Sequence, residues 1–148
     1  MPSGAGQTAI DELVHDFFAS FTNTGGRAAD VRRVYQLAIP SAVIVKATHS
    51  APEIYSLREF VEPRHEILTN GTLVDFEETE ESARTTIAGN VAQRYSHYRK
   101  AGVLAGQPFA GRGAKVFQFV RLPDGWRLSA LAWDDERDGF ALPDAVGM

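Results

Sequence analysis

The side chains in this sequence that could carry out acid–base chemistry are dispersed along the chain and form no motif that fixes a reaction. His49 directly follows a predicted strand, a position that suits a general base at the mouth of a pocket, although a solvated turn histidine is the favoured alternative. Asp134 and Asp135 follow Trp133 at the end of the last predicted strand. A buried carboxylate there would act as a base, whereas a solvated strand end is the favoured alternative. Trp133 is interpreted as either a pocket wall or a core residue.

Arg94 is the candidate for holding an anionic group. It stands mid-strand among small and polar side chains, where its guanidinium could receive a carboxylate or enolate oxygen. An ion pair with Glu77 or Glu78 across the sheet is the alternative and is slightly favoured, because a charge partly inside a sheet requires a partner. The predicted ligand-binding residues are Tyr35, Tyr55, Arg94, Tyr98 and Trp133.

No metal or cofactor is predicted. The four histidines show no short ligand spacing with one another or with a carboxylate, HExxH is absent, and the chain has no cysteine. Gly111-Arg112-Gly113 is not followed by Lys-Ser/Thr at a helix start, so it is not a phosphate loop. The acidic run Glu77–Glu81 lacks a calcium-loop pattern and is predicted to be a solvated hairpin.

Composition predicts one domain over residues 1–148, with tails at 1–7 and 138–148. The chain has 148 residues, of which 44% are hydrophobic, so a sizeable core is expected. A net charge of −4 argues against a nucleic-acid partner or an anionic membrane. The N-terminus lacks a signal-peptide pattern and the apolar runs are too short to span a bilayer, so a cytoplasmic location is expected.

Apolar residues at helical spacing predict three helices, all in the N-terminal half. The first begins at a capping box formed by Thr8 and Asp11, and the second covers Ala28–Leu37. The third begins at a second capping box, Ser56 with Glu59, and Pro63 should kink or break it. Short strands are predicted over Ala42–Thr48 and Pro52–Tyr55.

The remainder of the chain predicts four long strands, over Thr72–Glu80, Ala83–Arg99, Phe109–Arg121 and Trp126–Asp135. The connections are predicted as a turn at Glu80–Ser82, a loop over Lys100–Gln107 and a hairpin at Pro123-Asp124-Gly125, with a bulge at Gly89. The fold class is therefore α+β, with three helices packed on a strongly curved antiparallel sheet of four long strands plus one or two short ones.

Both faces of this sheet are apolar. Phe117 and Phe119 face one way, and Val116 and Val120 face the other. Helices can cover only one face, so we expect a two-fold homodimer through the outer face. The alternative is that the C-terminal tail covers part of that face.

Three stretches resemble the nuclear transport factor 2-like superfamily, also called cystatin-like, whose fold is a cone-shaped α+β roll. They are the aromatic first helix DELVHDFFASF, the strand–helix unit AVIVKAT…IYSLREFVEPRHEIL and the closing hairpin FQFVRLPDGWRLSALAWDDE, which is the most specific. The resemblance covers about Thr8–Glu136 and points to the SnoaL-like or uncharacterised branch. The superfamily includes ketosteroid isomerases, polyketide cyclases and many members without known activity.

The resemblance implies an apolar cone that takes a small molecule. Family enzymes place a carboxylate base and hydrogen-bond donors in this cone, but the segment Leu37–Ser41 has no acid and the first helix has no inward tyrosine. Tyr35 could substitute as the donor. The hypothesis is therefore binding of a small apolar ligand without assured turnover. The alternative is a SnoaL-like enzyme of the isomerase, cyclase or hydratase type, acting on a carbonyl-bearing apolar substrate through Tyr35, His49, Arg94 and Asp134 or Asp135.

Overall fold

Six strands form one curved sheet, and the helices pack on its inner face. The computed structural model describes residues 4–48 and 50–147. The helices are α1 (Gly4–Ala19), α2 (Val34–Leu37) and α3 (Leu57–Thr69), with single 3₁₀ turns at Thr24–Gly26 and Val31–Arg33. The strands are β1 (Ala38–Lys46), β2 (Glu53–Ser56), β3 (Leu73–Ala88), β4 (Val91–Leu104), β5 (Gln107–Leu122) and β6 (Gly125–Asp135). No helix in these ranges has the length and apolar character needed to cross a membrane.

The strand order is β2-β1-β6-β5-β4-β3. The four long strands form the predicted antiparallel meander, and β2 pairs antiparallel with β1. The expectation of an all-antiparallel sheet is wrong at one pairing, because β1 lies parallel to β6. The pairing of β1 with β6 joins the first and last strands of the fold in a mixed, unclosed sheet, and the α+β class is confirmed.

The aromatic stripe of α1 packs into the concave side of the sheet. Phe17 meets Phe117 of β5 edge to face at 5.6 Å and stacks with Phe60 of α3 at 6.4 Å. Such aromatic pairs dominate the burial energy of a core. The helix begins at Gly4, so the predicted start at Thr8 is wrong. The earlier turn is held by Gln7, which donates a hydrogen bond to Asp11 at 2.9 Å.

The third helix confirms its predicted capping box. Glu59 N donates to Ser56 Oγ at 3.2 Å, and Ser56 N donates to the Glu59 carboxylate at 2.8 Å. The helix continues through Pro63 without the predicted break, because the carbonyl that Pro63 leaves unbonded belongs to exposed Glu59. The predicted second helix is mostly 3₁₀ and irregular; only Val34–Leu37 is α-helical. Strand β1 begins directly after it.

Two long-strand connections differ from the prediction. The predicted turn at Glu80–Ser82 is a bulge inside β3, while the turn lies at Gly89-Asn90, where a bulge was expected. Gly89 adopts a φ of 58°, which a tight turn requires and which glycine adopts without steric cost. The predicted loop over Lys100–Gln107 is reduced to a two-residue hairpin at Ala105-Gly106.

A bulge in β6 changes which side chains face the core. The pairing shifts between Gln118 and Phe119 and leaves Ser129 without a register partner. Trp126 and Leu128 before the bulge therefore share the inner face with Leu131 and Trp133 after it, and all four are buried. Strict alternation along the strand would place these two pairs on opposite faces.

Candidate functional site

A cavity of about 270 Å³ lies between the inner face of the sheet, α1 and α3. Its wall is mainly aromatic and aliphatic, and its polar groups are four cationic side chains and one carboxylate. We call it the cationic cavity. It is lined by Phe17, Phe21, Lys46, Phe60, Arg64, Ile67, Leu68, Leu73, Phe76, Glu78, Lys100, Leu104, Phe109, Lys115 and Trp133.

The register of the sheet places the polar lining. Lys46 of β1, Trp133 of β6 and Lys115 of β5 are neighbours in one row across three strands. In the next strand pair, Glu78 of β3 lies directly opposite Lys100 of β4. Because side chains in one row point to the same face, these five residues converge on the cavity.

Lys115 is the most buried of the four cations, with 4% of its surface exposed. Its ammonium lies over the Tyr98 ring at 4.1 Å and over the Trp133 ring at 4.6 Å. Glu78 is its ion-pair partner at 3.7 Å, beyond hydrogen-bond distance. Burial lowers the pKa of Lys115, because removing the ammonium from water disfavours its charged form.

Arg64 brings a second, half-buried cation to the cavity from α3. Its guanidinium lies 4.3 Å from the Phe60 ring centre and 5.7 Å from that of Trp133. It donates one hydrogen bond to the Phe60 carbonyl oxygen at 3.1 Å. A guanidinium has five N–H donors, so most of the donors of Arg64 remain available for a ligand oxygen.

Tyr98, Asp135 and Lys100 form a hydrogen-bonded group beside the cavity. The Tyr98 hydroxyl donates to Asp135, and Lys100 Nζ donates to the same carboxylate at 3.0 Å. Gly113 lies between Tyr98 and Asp135 in the sheet, and a Cβ there would stand 2.5 Å from the carboxylate oxygen. Burial raises the pKa of Tyr98, with Glu78 and Asp135 adding to the effect, so the phenol stays protonated.

Four of the predicted site residues lie at or beside the cationic cavity. Trp133 lines it, and Tyr98 lies against Lys115. Tyr55 lies beside Arg64 at 5.3 Å and donates to Glu53 at 3.0 Å. Asp135 is the fourth, through its bonds to Tyr98 and Lys100.

The other predicted site residues are not brought to this cavity. The Tyr35 hydroxyl donates to Glu62 at 2.6 Å, and Asp134 pairs with Arg137 near the surface. Arg94 lies beneath α1. His49 lies outside the described residues. The residue set that the enzyme hypothesis named is therefore dispersed over the part of the fold that is described.

The predicted partner of Arg94 is wrong. It bonds Glu80 at 2.5 and 3.0 Å and Asp11 of α1 at 2.6 Å, instead of Glu77 or Glu78. The acidic run is also no solvated hairpin, because it lies mid-strand in β3. Its members alternate between the two faces, which brings Glu78 to the cationic cavity and Glu80 to Arg94.

Sequence reasoning missed most of the cavity's polar residues. They are Lys46, Arg64, Glu78, Lys100 and Lys115. A signal for Lys115 exists, because it shares alternation parity with Phe117 and Phe119 and therefore points inward. Glu78 carried no such signal, since a bulge at Asp75 (φ 49°) resets the alternation of β3.

A second, larger cavity of about 470 Å³ lies between α1 and β3. Its polar lining includes Asp11, Glu77, Glu80, His15 and Arg27. The carboxylates of Asp11 and Glu80 are already bound by Arg94, so they hold α1 on the sheet.

The fold matches solved structures over nearly its full length. A nuclear transport factor 2-like superfamily protein from Salmonella enterica superposes with a TM-score of 0.77 at 15% identity, covering 94% of this chain and 96% of the other. An uncharacterised protein with a cystatin-like fold from Caulobacter vibrioides gives 0.69 at 16% identity, covering 90% and 92%. An NTF2-like protein from Novosphingobium aromaticivorans gives 0.66 at 17% identity, covering 93% and 85%. No family model and no curated protein matches the sequence.

These likenesses show that the chain has the nuclear transport factor 2-like, cystatin-like fold, and they confirm the expected resemblance at the level of fold. Identities near 15% carry no activity from one protein to another, because this fold supports many unrelated functions.

Proposed function

We propose that this protein binds one small apolar carboxylate in the cationic cavity. The observation that carries the proposal is the composition of the wall: aromatic and aliphatic side chains surround four cations, and Glu78 is the single lining carboxylate among the described residues. Most ligand pockets with apolar walls contain only a few polar or charged groups, and these groups orient the ligand. An excess of positive charge favours a ligand with a negative group.

The aromatic part of the cavity fits the apolar body of such a ligand. Phe60 and Trp133 meet edge to face at 5.8 Å, and Phe76 stacks on Phe109 at 6.2 Å on another part of the wall. A cavity of roughly 150 Å³ accepts benzene. The present volume of about 270 Å³ therefore fits two fused rings or one ring with a short side chain.

The cations are placed to receive the carboxylate. Arg64 of α3 and Lys115 of β5 bring their charged groups within 5.7 and 4.6 Å of the Trp133 ring centre. Charge-assisted hydrogen bonds contribute about 1.5–3 kcal/mol each. Removing the ligand's negative charge should therefore weaken binding roughly 10- to 100-fold.

The test compares naphthoate with uncharged naphthylmethanol by calorimetry and thermal unfolding. We expect naphthoate to bind and the alcohol to bind at least about tenfold more weakly. At about 100 times its dissociation constant, naphthoate should add about 2.7 kcal/mol of stability, a shift of several degrees. Equal affinity for the acid and the alcohol would contradict the electrostatic argument.

A matched pair of variants locates the site. Arg64→Gln removes a cavity cation from α3, and Arg58→Gln removes an exposed cation from the same helix, outside the cavity. We expect naphthoate affinity to fall about tenfold in the first and to stay unchanged in the second. Equal effects of the two variants would place the binding elsewhere.

We also propose that a second copy of the chain covers the outer face of the sheet. Val43 (46% exposed), Val116 (40%) and Tyr95 (38%) lie on this face of β1, β5 and β4. The C-terminal segment covers part of the face at one end, where Val146 N donates to Ser82 Oγ at 2.9 Å. The central strands keep their apolar outer side chains exposed, which favours burial against a partner.

Light scattering on the full chain tests the dimer. We expect a dimer in the parent protein and a monomer for Val116→Arg, because an unpaired charge would be buried at the centre of the contact. Arg121→Glu is the control, since it changes an exposed charge at the end of the same strand. A monomeric parent protein at micromolar concentration would exclude this arrangement.

A further inference from the structure

The chain contains three lysines, Lys46, Lys100 and Lys115, and all three line the cationic cavity. Its other twelve basic residues are arginines, out of 15 Lys and Arg together. Arginine makes most of the surface ion pairs, such as Arg32 with Glu62 and Arg99 with Glu81. Lysine differs from arginine in that its amine loses its proton readily when buried and becomes a nucleophile.

Lys115 has the surroundings of a reactive amine. The side chain lines the cavity, and its Nζ lies 3.7 Å from the Glu78 carboxylate, beyond hydrogen-bond distance. The side chain is desolvated, and Lys100 and Arg64 place two further positive charges near it. Desolvation and a neighbouring cation are the two conditions that activate a lysine as a nucleophile.

The groups facing Lys115 come from every element around it. Glu78 and Asp135 are the nearby carboxylates from β3 and β6, and they favour the charged amine. The ring faces of Tyr98, Trp133 and Phe18 do the same at 4.1, 4.6 and 6.0 Å. Burial is the largest influence and outweighs them, so the pKa of Lys115 is lowered.

We propose that Lys115 captures an aldehyde or ketone group of an apolar ligand as a reversible imine. The proposal rests on the proposed function to the extent that the ligand enters the cationic cavity. The lone pair of neutral Nζ attacks the carbonyl carbon, a C–N bond forms, and the carbonyl π pair moves to oxygen. A proton passes from nitrogen to that oxygen, and the carbinolamine then loses water to give the imine.

Glu78 is the group that moves the protons. Its carboxylate lies 3.7 Å from Nζ, close enough to accept a proton from the amine after a small side-chain shift. The first proton transferred in this way makes the carbinolamine hydroxyl. The second N–H proton is carried to that hydroxyl, the C–O bond breaks as the electron pair on nitrogen forms the C=N bond, and water leaves. No oxidant or reductant is needed, because imine formation exchanges a carbonyl oxygen for the amine nitrogen and releases water.

The test traps the imine in the full-length protein. Naphthaldehyde is added with cyanoborohydride, which reduces an imine to a stable amine, and the modified residue is identified by peptide mass mapping. The chain offers three lysine amines and the α-amine, so the assignment is direct. We expect Lys115 to be modified faster than Lys46 or Lys100 at neutral pH, since a lowered pKa raises the fraction of the neutral, nucleophilic amine.

Variants and competition separate this proposal from the binding function. Lys115→Arg should abolish the fast modification, and Lys100→Arg should retain it. If a variant misfolds, peptide mapping of the parent protein still tests the proposal. Fast modification of Lys115 that naphthoate suppresses supports both proposals. Naphthoate binding without preferential modification of Lys115 overturns the imine alone. Preferential modification that naphthoate does not affect supports the imine and counts against the carboxylate site. Absence of both refutes both.

Discussion

Replacing Lys115 and Glu78 together with methionine should raise the free energy of unfolding, because this double variant removes both charges of a largely buried pair and leaves neither one without its partner. Desolvation is the largest influence on the ammonium and lowers the pKa of Lys115 from its ordinary value of 10.5. The pKa of Lys115 is lowered even though the attraction of the Glu78 carboxylate acts to raise it. Folding therefore weakens the binding of a proton to this amine, and methionine fills a similar volume without a charge.

The expected gain is about 1–2 kcal/mol at neutral pH. Replacing both members of a buried ion pair by apolar residues of similar size stabilises proteins by about 1–4 kcal/mol, and the lower part of this range applies here. The ring faces of Tyr98 and Trp133, together with Glu78, offset part of the desolvation cost. For a chain of 148 residues each kcal/mol corresponds to about 3 °C in the melting temperature.

The pH dependence of this gain checks its cause. Between the lowered pKa of Lys115 and 10.5, the unfolded chain binds more protons than the folded one. Stability of the parent protein therefore rises with pH through this window, and the methionine variant lacks the rise. The difference between the two proteins should narrow as pH approaches 10.5.

Urea unfolding at several pH values between about 7 and 10 measures this difference. Lys46→Met is the control, because the Lys46 side chain is 31% exposed, against 5% for Lys115, and therefore retains more of its hydration in the folded protein. A double methionine variant of Lys115 and Glu78 that is less stable than the parent at neutral pH would refute the reasoning. A stability difference that widens with rising pH would refute it as well.

Three further substitutions test other parts of the fold. Arg94→Met should lower the free energy of unfolding, measured in urea, by about 3 kcal/mol, because Glu80 is left largely buried without its cation. A loss of less than about 1 kcal/mol would show that the hydrogen bond from Ser96 alone satisfies Glu80. Hydrogen bonds from Arg32 and Tyr35 lower the pKa of Glu62 to about 2, and the stability that they give is lost as pH falls from about 4.5 towards that value. Glu62→Gln should therefore make the free energy of unfolding less dependent on pH below about pH 4.5. An unchanged acid profile would contradict this. Ala105→Asn should raise the free energy of unfolding by about 0.5–1 kcal/mol, and the melting temperature with it, because position 105 has a φ of 49° that asparagine tolerates better than alanine. A lower melting temperature would contradict the turn argument.

The sequence predicted those parts of the fold that local patterns determine. The capping box of α3 and the Pro123-Asp124-Gly125 hairpin are formed by residues close in sequence, and both are present. The inward alternation of Phe117 and Phe119 is likewise local and is confirmed. The position of a bulge depends on packing across strands, so the inward turn of Glu78 after Asp75 had no sequence signal.

The candidate site was only partly predictable for the same reason. Trp133, Tyr98 and Asp135 were named from the ends and faces of predicted strands, and they lie at or beside the cavity. Arg64 comes from α3, and no single-strand pattern relates its position to Lys115 of β5. Their meeting depends on how α3 packs on the sheet, which alternation does not determine.

Carboxylate binding and imine formation make opposite demands on one amine, and this opposition separates them in a single pH series. A carboxylate is attracted to the charged form of Lys115, so its affinity should fall as pH rises through the lowered pKa of this residue. Attack on a carbonyl needs the neutral form, so trapping of naphthaldehyde should become faster over the same interval. Arg64 stays protonated throughout and holds part of the carboxylate affinity at high pH. If the two curves share one midpoint, the same amine governs both processes. A carboxylate affinity that stays constant over the interval would assign the carboxylate to Arg64 and leave the imine to Lys115.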